Sequence, residues 1–165
     1  MLKLLRMVAL SVAAVSMFAA IPTASQAATT VKVSLWDKGA DVEMPKGLLY
    51  GTPGVDLSKA TMGIKLSTDT APHGIVAFKV TNDSKDTIHE MIVLQLANPG
   101  QPLPYDEGTQ RVDEEMAGDK GEVSELDPGQ SGSLTLNLQA GEYLLICNVA
   151  GHYGAGMWTE FTVTP

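Results

Sequence analysis

Beyond residue 28 the chain alternates short apolar runs with Gly, Pro, Asn and Asp, and no long stretch repeats its apolar positions with helical periodicity. From Ser133 to Leu138, Leu134, Leu136 and Leu138 alternate with Ser133, Thr135 and Asn137, as in a strand with one buried and one wet face. Val76, Phe78 and Val80 alternate in the same way with Ala77, Lys79 and Thr81, and Asn82-Asp83-Ser84 then supplies a turn. Further strands are predicted over Val31–Trp36, Met62–Ser67, Thr87–Leu96, Glu142–Asn148 and Met157–Thr164. Several short strands separated by turn signals predict an all-β sandwich or barrel. Between Leu96 and Ser131 the pattern lapses into an acidic connection, carrying nine carboxylates from Asp106 to Asp127 against Arg111 and Lys120. A connection this long is expected to be functional, mobile or to hide a short helix, placed here at Asp113–Met116.

The N-terminus has a different grammar. Lys3 and Arg6 precede an apolar stretch from Met7 to Ile21, followed by Pro22 and small residues from Thr23 to Ala28. That is the layout of a secretory signal peptide, too short to span a membrane as an anchor. Ser25 and Ala27 suit the −3 and −1 positions of a cleavage site, so residues 1–27 are read as the signal and 28–165 as one exported domain, expected in the periplasm. The formal charge of −8 argues against nucleic acid as a partner, which would need a basic footprint. An exported domain ordinarily uses cysteines in pairs, yet Cys147 is alone in the chain. It is therefore an intermolecular bridge, an inert buried thiol, a catalytic thiol or a metal ligand, and its neighbours must decide.

In Cys147-Asn-Val-Ala-Gly-His152-Tyr-Gly-Ala-Gly-Met157 a thiol, an imidazole and a thioether recur with four residues between each. Placed between two strands, the three would converge at one end of the sandwich. Alternation puts Cys147 on the face of Tyr143 and Leu145, and Met157 on that of Phe161 and Val163, so both sulfurs aim at the apolar interior. His89, at the start of its own strand, can supply a fourth group. Two His, one Cys and a weak axial Met form the ligand pattern of mononuclear blue-copper sites, whereas zinc ordinarily takes no Met. His73, between Pro72 and Gly74, reads as an exposed turn residue; Met91 as core packing; Glu90 as facing away from the site.

From about Thr61 to Pro165 the sequence resembles the cupredoxin family, which includes plastocyanin, azurin, auracyanin and rusticyanin. Its loop spacing is more similar to auracyanin and rusticyanin than to plastocyanin. The resemblance implies a Greek-key β-sandwich of about seven to eight strands, one copper ion cycling between Cu(II) and Cu(I), and His89, Cys147, His152 and Met157 as its ligands. It further implies a monomeric electron carrier whose port is the exposed edge of His152. The acidic 106–127 region reads first as a solvated surface that keeps the protein soluble, and otherwise as a docking surface that would steer a basic redox partner such as a cytochrome c by long-range attraction. Copper delivery or resistance is the alternative use of the same ligands, and no extra Met- or His-rich tract favours it. A multicopper oxidase or nitrite-reductase-like enzyme would need more histidines than His73, His89 and His152. A thiol hydrolase is disfavoured by a cysteine facing the core, so no catalytic residues are expected.

Overall fold

The computed structural model describes residues 27–165, so all of the expected signal segment except Ala27 lies outside the described residues. The chain runs β1 (Thr29–Asp37), β2 (Met62–Leu66), β3 (Thr70–Pro72), β4 (Gly74–Asn82), β5 (His89–Gln95), β6 (Tyr105–Asp106), β7 (Arg111–Val112), α1 (Glu114–Ala117), β8 (Asp119–Leu126), β9 (Ser131–Leu138), β10 (Gly141–Ile146) and β11 (Trp158–Thr164). Two sheets stack face to face, one ordered β2-β1-β4-β9 and the other β3-β11-β10-β5-β8, and β6 and β7 form a separate hairpin. Most pairings are antiparallel, with β1 against β4 and β11 against β3 parallel. The arrangement is a cupredoxin-like Greek-key sandwich.

The alternation seen in the sequence sets the inner faces. Val31, Val33 and Leu35 of β1 and Val76, Phe78 and Val80 of β4 meet Met91, Val93, Tyr143, Leu145, Phe161 and Val163 from the opposite sheet, all buried. Phe78 and Phe161 meet edge to face at 5.5 Å across this core, a favoured aromatic geometry.

The acidic connection is more ordered than its composition predicts. It forms the β6–β7 hairpin, α1, and the edge strand β8, which pairs with β5. The helix falls one residue from the expected position: Asp113 accepts the Met116 N–H at 3.0 Å as its N-cap, and Gly118, at φ 89°, closes it. β8 escaped the sequence reading because Val123 is its one buried residue. Asp119, Lys120, Glu122, Ser124 and Glu125 face water, the charged dressing that keeps an edge strand from pairing with another chain.

A second core lies on the outer face of the five-stranded sheet, where Ile92, Leu94, Leu144, Ile146 and Trp158 pack beneath Tyr50, Val112, Ala117 and Tyr153. β5 and β10 are thus apolar on both faces, and the segment before Met62, the hairpin and α1 act as a cover. That cover encloses the end of the sandwich where β5 begins and β10 ends.

Candidate metal centre

Four side chains expected to cooperate come from three places in the fold. His89 opens β5 after a turn held by Asn82, whose Nδ2 donates to the carbonyls of Thr87 and Leu126 at 2.9 and 2.8 Å. Cys147 follows the last residue of β10, and Met157 immediately precedes β11. His152 sits in the loop between them, coiled by successive turns: its N–H donates to the Val149 carbonyl at 2.9 Å, and its carbonyl accepts from Ala155 and Met157 at 3.1 and 3.0 Å. Gly151 and Gly156 take φ of 86° and 94°, the left-handed region where a side chain is strained. A Cβ on Gly156 would also press on Leu57, Ala60 and Leu48 of the cover at 3.1–3.2 Å.

His89, Cys147 and His152 converge. Nδ1 of His89 lies 3.2 Å from Nδ1 of His152, and Sγ of Cys147 lies 3.4 Å from the latter and 3.9 Å from the former. A point inside this triangle about 2 Å from every corner matches the separation of about 2.0–2.3 Å between nitrogen or sulfur donors and a bound transition-metal ion. The arrangement is buried, with His89 and Cys147 0% exposed and His152 5% exposed. Met157 is also wholly buried, in the same core as Cys147, and its carbonyl accepts the Cys147 N–H at 3.1 Å.

Protonation follows from burial. It pushes the Cys147 thiol up to about 12 and drives the His152 imidazole down to about 4, with nearby His89 adding to the latter. Burial lowers His89 as well, outweighing the opposing pull of Asp37, whose own carboxyl is held low by donors that include His89. Without metal the triad is thus two neutral imidazoles and a thiol. His89 Nε2–H donates to Oδ2 of Asp37 at 2.8 Å, leaving the Nδ1 lone pair facing Cys147 and His152. Past the end of the β5–β10 ladder, the Glu90 N–H points to the Cys147 sulfur at 3.5 Å and stabilises negative charge there.

The surroundings clamp the loop. Asn148 accepts the Val112 N–H at 2.7 Å and donates to the Val112 carbonyl and the Glu114 carboxylate at 3.0 and 2.7 Å, tying the Cys147–Met157 loop to β7 and α1. On the other side the Leu48 N–H donates to Gly154, and the Trp158 indole donates to the Leu48 carbonyl at 2.6 Å. This cover overturns the expectation of an open His152 edge, since loop residues 152–157 are all buried. A cleft of about 300 Å³ nevertheless reaches Gly151 and Gly154, walled by Met44, Leu49 and Tyr105 with Glu43 and Glu107 beside them. His73 is exposed and Met91 is core, as read from the sequence. Glu90 does face away from the triad, but it is buried and not solvated.

The sequence profile of the Sulfocyanin (SoxE) domain matches residues 72–165, more than half of the chain and all four side chains above. The chain belongs to the sulfocyanin family. No curated protein sequence matches. Among solved structures the fold is similar to auracyanin from the photosynthetic bacterium Roseiflexus castenholzii, at 17% identity over 85% of this chain and 100% of that one, with a TM-score of 0.51. Rusticyanin from Thiobacillus ferrooxidans aligns at 17% identity over 84% and 79%, also with a TM-score of 0.51. Auracyanin A of Chloroflexus aurantiacus, described as a "blue" copper protein, aligns at 17% over 84% and 100%, with a TM-score of 0.50. At these identities the likeness speaks for the fold, and the sulfocyanin domain here accordingly has the cupredoxin architecture. Its profile begins at the end of β3, so β1, β2 and the part of the cover that precedes Met62 lie outside the matched region.

Sequence reasoning missed Asp37, Asn148 and the covering segment. Asp37 had a readable signal: it continues the inward parity of Val31, Val33 and Leu35, where a carboxylate is out of place unless it serves a polar partner. Asn148 acts through its side-chain amide on Val112 and Glu114 and Leu48 through its main chain, long-range contacts made by the fold that leave no local pattern.

Proposed function

We propose that this is an exported, periplasmic, mononuclear type 1 copper protein that carries single electrons and is not an enzyme. His89, Cys147 and His152 hold the metal, and Met157 is the weak axial ligand. The observation that carries this reading is the buried triangle of two imidazole nitrogens and a thiol, the donor set that mononuclear blue-copper sites use. Copper bound there would supply a Cu(II)/Cu(I) couple. The chain's own part is to hold two neutral imidazoles and one thiol in a fixed, dry arrangement, which keeps reorganisation on electron transfer small. Among the described residues no helix is long and apolar enough to cross a membrane.

Burial also supports this reading over copper delivery. A carrier retains its ion through every cycle, whereas a delivery protein must surrender it. Surrender here requires opening a loop clamped by Asn148, Leu48 and Gly156. We favour a monomeric carrier whose partner, a basic cytochrome c, approaches at the cleft beside Gly151 and Gly154, attracted by Glu43, Glu107 and the acidic 106–127 region. The test is to mix the copper-loaded, reduced protein with oxidised cytochrome c and follow both haem reduction and the copper retained. Rapid one-electron transfer with copper fully retained supports the carrier. Loss of the ion to a competing Cu(I) chelator within one cycle contradicts it.

A further inference from the structure

Asp37 ends β1 on the strand's inward face, and its side chain is 4% exposed. An ionised carboxylate at such a depth is unfavourable unless donors surround it. They do: Oδ2 accepts the His89 Nε2–H at 2.8 Å, and Oδ1 accepts the Gly39 N–H at 2.8 Å. Its backbone is fixed by the β1–β2 ladder, where Asp37 pairs with Met62, and by Lys38 donating to the Thr61 carbonyl at 2.9 Å. The carboxylate therefore belongs to the frame of the sandwich and not to the ligand loop.

We propose that Asp37 is a positioning residue for the metal centre: it holds His89 with Nε2 protonated and Nδ1 bare toward Cys147 and His152, and its charge favours the more oxidised state of a bound copper ion. A ligand imidazole whose other nitrogen donates to a carboxylate is fixed in tautomer and ring orientation and becomes a stronger donor. The negative charge lies one imidazole away from the triangle, inside a low-dielectric core where it is poorly screened. The region matched by the family profile begins at residue 72, so this support comes from the first strand, which the profile does not cover. The proposal rests on the copper reading above.

The test replaces Asp37 by Asn, which keeps the size and an acceptor but removes the charge. Cu(II) affinity is expected to fall at least about tenfold, the usual cost of losing a carboxylate behind a ligating His, with a smaller change for Cu(I). The reduction potential then rises by about 59 mV for each tenfold by which Cu(II) binding weakens relative to Cu(I). Unchanged Cu(II) affinity and potential would overturn the role. Nitrogen-15 NMR of the metal-free wild type supplies a second readout: His89 is expected as the neutral Nε2–H tautomer with a hydrogen-bonded, slowly exchanging proton. Finding the Nδ1–H tautomer overturns the proposal even if the Asn variant does not fold. A wild type that binds no copper would sink the copper reading instead, while the tautomer still decides whether Asp37 positions His89.

Discussion

Glu90 offers the sharpest link between burial and stability. Its side chain is 7% exposed, Oε1 has no hydrogen-bond partner, and burial together with Glu122 and Glu114 raises its pKa from 4.5 to about 7 against the pull of Arg111. A carboxyl with a raised folded-state pKa keeps its proton where the unfolded chain has released it. Its contribution to stability is therefore lost as the pH rises from about 4.5 to about 7. The shift corresponds to about 3 kcal/mol once both states are ionised. Glu90→Gln preserves the shape and removes the titration. Urea unfolding of the metal-free proteins at about pH 5 and about pH 8 should show the stability of the Gln variant relative to wild type improving by about 2 kcal/mol between the two. His152 has the opposite dependence, its lowered pKa costing stability as the pH falls from about 6.5 to about 4, but it is common to both proteins and cancels in the difference. A gap that does not change with pH would refute the claim that Glu90 is buried and repelled by its neighbours.

Three other outcomes are expected. Near pH 7, loading one copper ion should release about one proton, from the Cys147 thiol, because both histidines are already neutral; calorimetry in buffers of differing ionisation enthalpy counts it, and release of none would contradict the thiolate assignment. Asn148→Ala should cost about 2–4 kcal/mol in urea unfolding, since it strands the buried Val112 N–H and loosens the ligand loop; a cost below about 0.5 kcal/mol would mean the clamp is idle. Glu43→Gln together with Glu107→Gln should slow the reaction with a basic cytochrome c at low salt and flatten its salt dependence, whereas unchanged rates would move the docking surface elsewhere.

What the sequence disclosed and what it hid divide along a physical line. The strands of the inner core were legible because each buries one face, so Val76, Phe78 and Val80 or Leu134, Leu136 and Leu138 write a period of two. The loop from Cys147 to Met157 was legible because its donor types and spacing are chemically unusual. β8 was hidden because an edge strand beside water needs little apolar surface, and Val123 alone cannot display a period. The cover over His152 was hidden for another reason: Leu48 and Trp158 meet through a carbonyl and an indole 110 residues apart in sequence. Strand β5, buried on both faces, reads as a continuous apolar run with no clue to what lies above it.

The central claim is that Cys147 ligates a redox-active copper ion with His89 and His152. The measurement that tests it most directly is the visible absorption spectrum of the protein after one equivalent of Cu(II), recorded before and after ascorbate, with Cys147→Ser alongside. An intense thiolate-to-copper band is expected that bleaches on reduction, returns on reoxidation and is missing from the Ser variant. A wild type without such a band, or a Ser variant that keeps it, would rule out Cys147 as the copper ligand.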